Sequence, residues 1–335
     1  MNTIIYPPFM RWEYMTQRPQ QLMREFARMG YRVIFHSGQN EVKAGIKEVA
    51  PNLFVCNRDI APLKHIRIDN PPILWISWPP NVKLIGKYYG DKMVVFDCVD
   101  AAEGEFADWA KGLDEILARA NLVLTASQLL YDKYKEQYKE KTFLCRNGVD
   151  YEHFSQPQPF PPELKSLKRP IIGYHGALAP WLDWELVEGL AIENPEYSYV
   201  FIGPPYEMSS FPQADNLHYL SYKPYNRLPG FVQGFDVGII PFKLTEMTLH
   251  SCPIKMYEYL ACGLPVVSTD LPDVRSCELV LIAKDTKQFN SMLTLVLAEK
   301  SVSKVSIRKS FASLNSWSER AKYAANLLES ADPGV

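Results

Sequence analysis

The residues best placed to do chemistry lie in the segment Pro253–Val267, which reads PIKMYEYLACGLPVV. Pro253 suits the first position of a helix and Gly263 suits the residue that ends one, so a helix is predicted between them. Lys255 and Glu258 are three residues apart and therefore share one face near the helix N-terminus. Free N–H groups at such an end bind phosphate, Lys255 would add positive charge, and Glu258 would accept hydrogen bonds from a ribose diol. A solvated Lys–Glu pair is the plain alternative.

The elements around this helix follow a regular alternation. The apolar run Val237–Pro241 precedes it and Pro265–Thr269 follows it, and both have strand length. The same rhythm of strand and helix extends from the strand Thr3–Tyr6 to the helix Ser316–Leu328. It predicts mostly parallel sheets that are covered by helices on both faces.

A break in composition divides the chain into two series of strands. Gln156–Pro162 reads QPQPFPP, with four prolines in seven residues, and the charged run Glu163–Arg169 follows it. The sequence therefore predicts an α/β protein with two doubly wound, Rossmann-like domains, at residues 1–155 and 156–315. Ligands of such domains lie at the carboxyl ends of the strands, so the cleft between the domains is the expected site.

Composition excludes several classes of protein. The 335 residues carry 36 Lys and Arg against 38 Asp and Glu, which is not the charge balance of a nucleic-acid binder. The apolar runs are too short to span a membrane, and the N-terminus lacks the features of a secretory signal. We find no dinucleotide fingerprint, P-loop or nucleophile elbow. No metal and no bound cofactor is predicted. No D-x-D pair follows a strand, and Asp97 and Asp100, three residues apart, make a weak metal site. Zinc and disulfide frameworks are disfavoured because the cysteines lack C-x-x-C pairing and nearby His clusters; they are Cys56, Cys98, Cys145, Cys252, Cys262 and Cys277.

Several segments together resemble the GT-B glycosyltransferases of family 4, also called group 1. Tyr257–Val267 (YEYLACGLPVV) is similar to the segment that carries the family's glutamate, and Asn147–Asp150 (NGVD) is similar to the end of its N-terminal domain. Ile172–Gly176 (IGYHG) resembles the first strand and glycine loop of its nucleotide domain. Gln17–Gln20 (QRPQ) resembles a motif of the bacterial surface-polysaccharide branch, which includes teichuronic-acid and exopolysaccharide transferases.

The resemblance implies roles for individual residues on the donor side. Glu258 inherits the ribose contact, and Gly176 belongs to the glycine loop. Lys255 is the first candidate to neutralise the departing diphosphate, where charge develops in the transition state. The loop that carries Lys223 and Tyr225 meets the base in the family, so both residues are placed near it. An ordinary proline-bearing loop is the alternative for that segment.

This sequence departs from the family at two points. The family shows two glutamates spaced E-x7-E, and the first of them, which contacts the donor sugar, is replaced here by His250. An imidazole can still donate to a hydroxyl or phosphate, and a solvated loop histidine is the alternative. The segment Gly176–Trp184 has no basic residue, so Arg18 and Lys243 rank after Lys255 as partners of the phosphates. A helix that begins near Trp181 would supply amide donors, and a packing anchor is the alternative role of Trp181.

The acceptor side is predicted in the first domain. Phe96–Asp100 (FDCVD) ends a buried strand at its carboxyl end. Asp100 is the preferred base toward an acceptor hydroxyl and Asp97 the second candidate. A carboxylate that caps the following segment is the structural alternative for both.

The sequence thus predicts a metal-independent, retaining glycosyltransferase. Its donor is a nucleotide diphosphate sugar, UDP rather than GDP, and its acceptor a hydroxyl of a saccharide or lipid-linked saccharide in bacterial surface polysaccharide synthesis. A C-terminal helix over 316–330 is expected to pack back on the first domain. A non-hydrolysing UDP-sugar 2-epimerase of the same fold and a non-catalytic GT-B-like subunit remain the alternatives.

A lysine-rich stretch raises the question of a membrane surface. Tyr131–Lys141 carries four lysines and three tyrosines, and as one helix it would align Tyr131, Lys135 and Tyr138. Lysines among aromatic residues suit an anionic membrane, whereas a solvated face of mixed charge is the alternative. The expected location is the cytoplasm, at most with weak peripheral contact at the inner face of the membrane, and no nucleic-acid partner is expected.

Overall fold

A computed structural model describes residues 2–87, 90–299 and 301–331. The chain forms two compact units: unit 1 takes the chain up to Asn147 and from Trp317 onward, and unit 2 is Gly148–Ser316. The division therefore falls before the predicted boundary at residue 155. The short helix Tyr151–Ser155 packs against the helix Ile254–Ala261, which explains why it belongs to unit 2.

Among the described residues of unit 1, eight strands form one sheet. The burial of the central strands on both faces explains the continuous apolar runs of the sequence. The strands are β1 (Thr3–Tyr6), β2 (Arg32–His36), β3 (Ile46–Ala50), β4 (Leu53–Cys56), β5 (Ile73–Ile76), β6 (Met93–Cys98), β7 (Leu122–Thr125) and β8 (Thr142–Leu144). The α-helices before Asn147 are α1 (Arg18–Arg28), α2 (Leu113–Arg119) and α3 (Gln128–Lys135).

The sheet of unit 1 has the order β3-β4-β2-β1-β5-β6-β7-β8. Its strand pairs are parallel except for the edge pair β3 and β4, which is antiparallel. Strands β2 to β4 lie on one side of β1 and strands β5 to β8 on the other, so the strand order reverses between β1 and β5. The carboxyl ends of β1, β5 and β6 therefore meet at one edge of the sheet, where a doubly wound domain binds its ligands.

Unit 2 has the strand order of a dinucleotide-binding fold. Its described residues form six parallel strands in the order β11-β10-β9-β12-β13-β14. The strands are β9 (Ile171–His175), β10 (Ser198–Ile202), β11 (Leu217–Leu220), β12 (Val237–Ile240), β13 (Val266–Thr269) and β14 (Val280–Ala283). The helices are α4 (Tyr151–Ser155), α5 (Trp184–Glu193), α6 (Leu228–Gln233), α7 (Glu246–Leu249), α8 (Ile254–Ala261), α9 (Pro272–Arg275), α10 (Thr286–Leu297) and α11 (Val302–Leu314). The switch point lies between β9 and β12.

The chain ends in α12 (Trp317–Ser330), which returns to unit 1 and packs against α1. The apolar face of α12 explains this return, because Trp317, Ala321 and Ala324 are buried. No helix within the described ranges is long and apolar enough to cross a membrane. The predicted α/β class with two doubly wound, parallel-sheet units is confirmed.

Candidate functional site

The strongest sequence signal lies at the switch point of unit 2. Strand β9 ends at His175 and is followed by Gly176, while the loop after the neighbouring strand β12 leads into α8. Lys255 and Glu258 lie on that helix. The fold therefore brings the glycine loop and the charged helix to the carboxyl edge of the sheet, where ligands of such domains bind.

Helix α8 has an N-terminus that no side chain caps. Pro253 is the N-cap residue, one position before the predicted one, and it makes no side-chain cap hydrogen bond. At the other end Gly263 adopts a φ of +81°, and the N–H of Leu264 donates to the carbonyl of Tyr259 over 3.0 Å. This is the expected glycine stop of a helix. The uncapped end keeps the positive end of the helix dipole available to an anion.

Lys255 is half-buried among aromatic rings beside this helix end. Its Nζ lies 5.1 Å from the ring centre of Tyr174 and 4.7 Å from that of Phe242. Burial lowers the pKa of the Lys255 ammonium to about 8, and the nearby Glu258 carboxylate opposes the shift. No carboxylate of the described residues is within salt-bridge distance of Nζ. An anionic ligand would compensate this desolvated charge.

Glu258 faces a residue that the sequence analysis did not select. The Oε2 of Glu258 lies 3.2 Å from the Nε2 of His175, and each residue is 6% exposed. The Nε2 atom is buried, and no described residue forms a hydrogen bond with it. The only signal for His175 in the sequence was its place between the buried strand and Gly176.

Two glycines allow the loops after β9 and β10 to touch. Gly176 has a φ of +133° and Gly203 a φ of +154°. A Cβ on Gly203 would lie 1.8 Å from the carbonyl oxygen of Gly176, and one on Gly176 would lie 3.4 Å from Cε of Lys255. The glycine loop is therefore directly beside Lys255. Because glycine has no side chain, the backbone of such a loop can approach a phosphate closely.

The loop with Lys223 and Tyr225 is held by contacts of its own. Lys223 pairs with Glu163 at 3.4 Å. The ring of Tyr225 stacks on that of His153 at 4.4 Å between centroids. Tyr225 also contacts the ring of Phe154, which in turn contacts His175. The ring of Phe154 thus lies between those of Tyr225 and His175 in this chain of contacts. The predicted place of the loop near the nucleotide base stays a prediction.

His250 is a buried residue at the end of α7. Its Nδ1 lies 2.8 Å from the carbonyl oxygen of Glu246, and the residue is 8% exposed. The alternative of a solvated loop histidine is therefore wrong. If Nδ1 donates to this carbonyl in a neutral ring, Nε2 is left as an acceptor. Contact of His250 with a donor sugar stays a prediction. Lys243, in the loop before α7, is exposed, and its predicted contact with the phosphates also stays a prediction.

The predicted amide donors near Trp181 are not found. Helix α5 begins at Trp184, and the Asp183 side chain accepts a hydrogen bond of 3.0 Å from the N–H of Leu186. A carboxylate thus already occupies this helix N-terminus, which disfavours a phosphate there. Trp181 itself is half-buried and packs against the ring of Tyr206.

In unit 1, Arg18 and Asp97 form a buried structural pair. Asp97 is 0% and Arg18 2% exposed, and Nη2 of Arg18 lies 2.7 Å from Oδ1 of Asp97. Asp97 also accepts from the indole of Trp75 at 3.2 Å, and Arg18 donates to the carbonyl of Cys145 at 2.8 Å. These bonds correct two expectations: they give Arg18 an internal partner instead of a donor phosphate, and they make Asp97 unsuited to act as a base.

Asp100 lies two residues beyond the end of β6 and is half-buried. Burial raises the pKa of its carboxyl to about 6, and the Arg18 charge opposes the shift. A carboxylate with such a pKa can accept a proton near neutral pH. Half-buried aromatic rings surround the same edge of the sheet: Phe9 stacks on Trp78 at 5.4 Å and meets Trp109 edge-on at 5.6 Å.

A cluster of three or more His, Cys, Asp or Glu side chains able to hold a metal ion is not found in the part of the chain that the structure describes. The predicted independence from metal stays a prediction.

The comparison with known sequences finds similarity to a described family over the candidate site. Residues 169–298 match the family model for glycosyl transferases group 1, and this range includes His175, Gly176, Lys255 and Glu258. Over 221 residues the chain is 26% identical to TuaH of Bacillus subtilis (strain 168), which carries a provisional assignment as a teichuronic acid biosynthesis glycosyltransferase. The match covers 59% of this chain and 55% of TuaH, so the chain spans about half the length of this curated relative.

Solved structures with the same fold cover the chain nearly end to end. HepE of Anabaena, in complex with UDP and glucose, has a TM-score of 0.75 at 12% identity and covers 98% of this chain and 100% of its own. Sucrose-phosphate synthase of Thermosynechococcus elongatus has a TM-score of 0.73 at 13% identity, with coverage of 98% and 99%. At such identities the likeness establishes the fold. The chain therefore has the GT-B fold, and its residues 169–298 match the family model for group 1 glycosyl transferases.

Proposed function

We propose that this protein transfers a sugar from a nucleotide diphosphate sugar, with UDP as the favoured nucleotide, to a hydroxyl of a saccharide or lipid-linked saccharide. The reaction would be a step in bacterial surface polysaccharide synthesis and would need no metal. The observation that carries the proposal is the group of Gly176, Lys255 and Glu258 at the switch point of a group 1 domain.

The residues of unit 2 supply what a departing nucleoside diphosphate requires. Glu258 offers a buried carboxylate to the ribose hydroxyls. The uncapped N-terminus of α8 and the Lys255 ammonium offer donors and positive charge to the diphosphate. Negative charge grows on the leaving phosphate as the glycosidic bond breaks, so a partner fixed in a poorly solvated site stabilises the transition state more than the ground state. His250 is the candidate for contact with the donor sugar.

The choice of UDP and of polysaccharide synthesis rests on similar proteins. HepE was solved with UDP and glucose, and an Escherichia coli trehalose-6-phosphate protein was solved with UDP-2-fluoro glucose. The name of TuaH assigns it to teichuronic acid biosynthesis. Retention of the anomeric configuration is proposed from the resemblance to family 4.

Unit 1 is proposed to bind the acceptor. Asp100, whose pKa is raised to about 6, would take the proton of the acceptor hydroxyl or orient it. The half-buried rings of Phe9, Trp78 and Trp109 would pack against the apolar face of a sugar. No observation favours the 2-epimerase or the non-catalytic subunit over a transferase. Conversion of UDP-N-acetylglucosamine to its epimer without acceptor would support the former.

Calorimetric titration with UDP and GDP tests the donor site. We expect the wild type to bind UDP more tightly, and we expect Glu258→Ala to weaken binding because a charge-assisted hydrogen bond to the ribose is lost. Such a bond contributes about 1.5–3 kcal/mol, which corresponds to a loss of roughly 10- to 100-fold in affinity. The matched control is Glu188→Ala on the exposed side of α5, which should bind as the wild type does. Absence of nucleotide binding to the wild type, or unchanged affinity of Glu258→Ala, would contradict the proposal.

A further inference from the structure

Two polar side chains of unit 2, His175 and Glu258, are buried beside each other without a hydrogen bond between them. The Nε2 of His175 is buried and, within the described residues, has no hydrogen-bond partner, although Oε2 of Glu258 lies at ion-pair distance, 3.2 Å away. The two atoms are close, but their orientation does not make a hydrogen bond. None of the described side chains donates to the Glu258 carboxylate either.

The surroundings hold the His175 ring in this position. Its ring lies between those of Phe154, at 6.5 Å and nearly parallel, and Tyr259, at 5.3 Å and perpendicular. The backbone N–H of His175 donates to the hydroxyl of Tyr259 over 3.2 Å. Packing against these two rings restricts rotation of the imidazole, so Nε2 stays without a hydrogen bond in this fold.

Leaving such groups unpaired is costly. A buried imidazole nitrogen without a partner loses its hydration and gains nothing in return, whereas nearly all buried polar groups in proteins are bonded. A site that carries this cost is explained when a ligand supplies the missing partners. The ligand must offer an acceptor to an imidazole N–H and a donor to a carboxylate within a short distance of each other.

We propose that His175 is a specificity-determining residue that reads the ribose of the donor nucleotide together with Glu258. This inference rests on the proposed function. The two hydroxyls of a ribose are adjacent, and each can donate and accept. The 3′-hydroxyl donates its proton to the Glu258 carboxylate, and the neighbouring 2′-hydroxyl accepts a hydrogen bond from Nε2–H of His175. A 2′-deoxyribose can satisfy only one of these two groups, so the other remains buried and unpaired.

The test compares UDP with 2′-deoxyuridine diphosphate in calorimetric titrations. The wild type should prefer UDP by about tenfold or more, since a site built to bond a hydroxyl rejects the analogue that lacks it. The variant is His175→Phe, because a phenyl ring keeps the contacts with Phe154 and Tyr259. It should bind UDP roughly tenfold more weakly, as expected for one lost hydrogen bond, and its preference for UDP should fall toward one.

Control variants and outcomes separate the possible explanations. His218→Phe replaces a half-buried histidine of β11 in the same unit and should keep the wild-type preference. Equal losses for both nucleotides in His175→Phe, or an unchanged preference, would overturn the role of His175 while the donor site stands. Absence of UDP and GDP binding to the wild type would instead overturn the proposed function and this inference with it.

Discussion

Two pairs of opposite charge distinguish structure from function at the scale of single residues. Arg18 and Asp97 are buried and satisfied, with a 2.7 Å contact and further bonds to Cys145 and Trp75. Lys255 and Glu258 are also largely withdrawn from water. Among the described residues, Lys255 has no carboxylate at ion-pair distance, and Glu258 has only the contact with His175. A network that is complete needs no ligand, whereas an incomplete one stores a cost that binding removes.

Sequence reasoning found the incomplete pair through its spacing on a helix, but it could not tell Arg18 from a ligand contact. The residues that satisfy Arg18 are far apart in sequence, at Asp97 and Cys145. For the same reason His175 was missed, because its relation to Glu258 depends on strand β9 lying beside the loop that leads to α8. Patterns within one element are readable from the sequence, and pairings between elements are not.

Asp100 yields a prediction about pH. Its pKa of about 6 lies above its ordinary value, so the folded state binds the proton more tightly than the unfolded state. The stabilising effect of that proton is complete below pH 4 and is lost as the pH rises through about 6. We expect Asp100→Asn to be more stable than the wild type at pH 7.5, by at most about 3 kcal/mol, and equally stable near pH 4. Wild-type turnover should fall below pH 6, where the base is protonated, and Asp100→Asn should be slow at every pH.

Thermal unfolding at several pH values and a pH–rate profile check both parts of this prediction. The matched control is Asp97→Asn, which leaves the buried Arg18 without its charge partner and should be strongly destabilised, by about 3–5 kcal/mol. An Asp100→Asn variant that is destabilised at pH 7.5 would show that Asp100 has the structural role of a cap instead.

At the scale of elements, the buried strands could be predicted and the exposed elements could not. The central strands are apolar throughout because both of their faces are covered. The edge strand β3 (Ile46–Ala50) was missed because its side chains are half-buried or exposed and its apolar alternation is weak. Helix α11 (Val302–Leu314) was missed for a similar reason, since only Arg308 and Ala312 are buried along it. Helix α3 ends at Lys135, earlier than predicted.

The crossing of the loops after β9 and β10 gives a prediction at this scale. Gly203→Ala would place a Cβ 1.8 Å from the carbonyl oxygen of Gly176, and a backbone atom cannot move aside without displacing the glycine loop. We expect a loss of about 3 kcal/mol or more in the free energy of unfolding and greatly reduced UDP binding. Gly189→Ala is the control, because this glycine lies in helix α5 and its nearest neighbour is a side-chain methyl at 3.3 Å. Denaturant unfolding and nucleotide titration measure both effects, and a Gly203→Ala variant with wild-type affinity would refute the close approach.

At the scale of the whole molecule, the division into units does not follow the order of the chain, because the residues after unit 2 belong to unit 1. Helix α12 follows unit 2 in sequence and yet packs against α1 of unit 1. Local patterns identify such a helix but not its partner, and here the resemblance to a family supplied that expectation. The same resemblance covered both units, whereas the family model matches residues 169–298 in unit 2 only. The assignment of the donor side is therefore better supported than that of the acceptor side.

The last prediction concerns the proposed membrane surface of unit 1. The stretch Tyr131–Lys141 is not one helix, because α3 ends at Lys135. Tyr131 and Lys135 lie one turn apart on α3 and are in contact, whereas Tyr138 and Lys139 lie beyond its end. Lys133 pairs with Glu103 at 3.8 Å and Lys135 with Asp132 at 2.6 Å, while Lys141 donates to two backbone carbonyls. Three of the four lysines thus have partners within the protein.

An anionic membrane attracts a protein surface through its excess positive charge, and pairing with carboxylates removes that excess. We therefore expect no more sedimentation with phosphatidylglycerol vesicles at low salt than with neutral phosphatidylcholine vesicles, and no change at high salt. The matched variant is Lys139→Glu, because Lys139 is the lysine of this stretch without a partner among the described residues. Salt-sensitive sedimentation that Lys139→Glu abolishes would instead establish this surface as a membrane contact, and it would favour a lipid-linked acceptor over a soluble one.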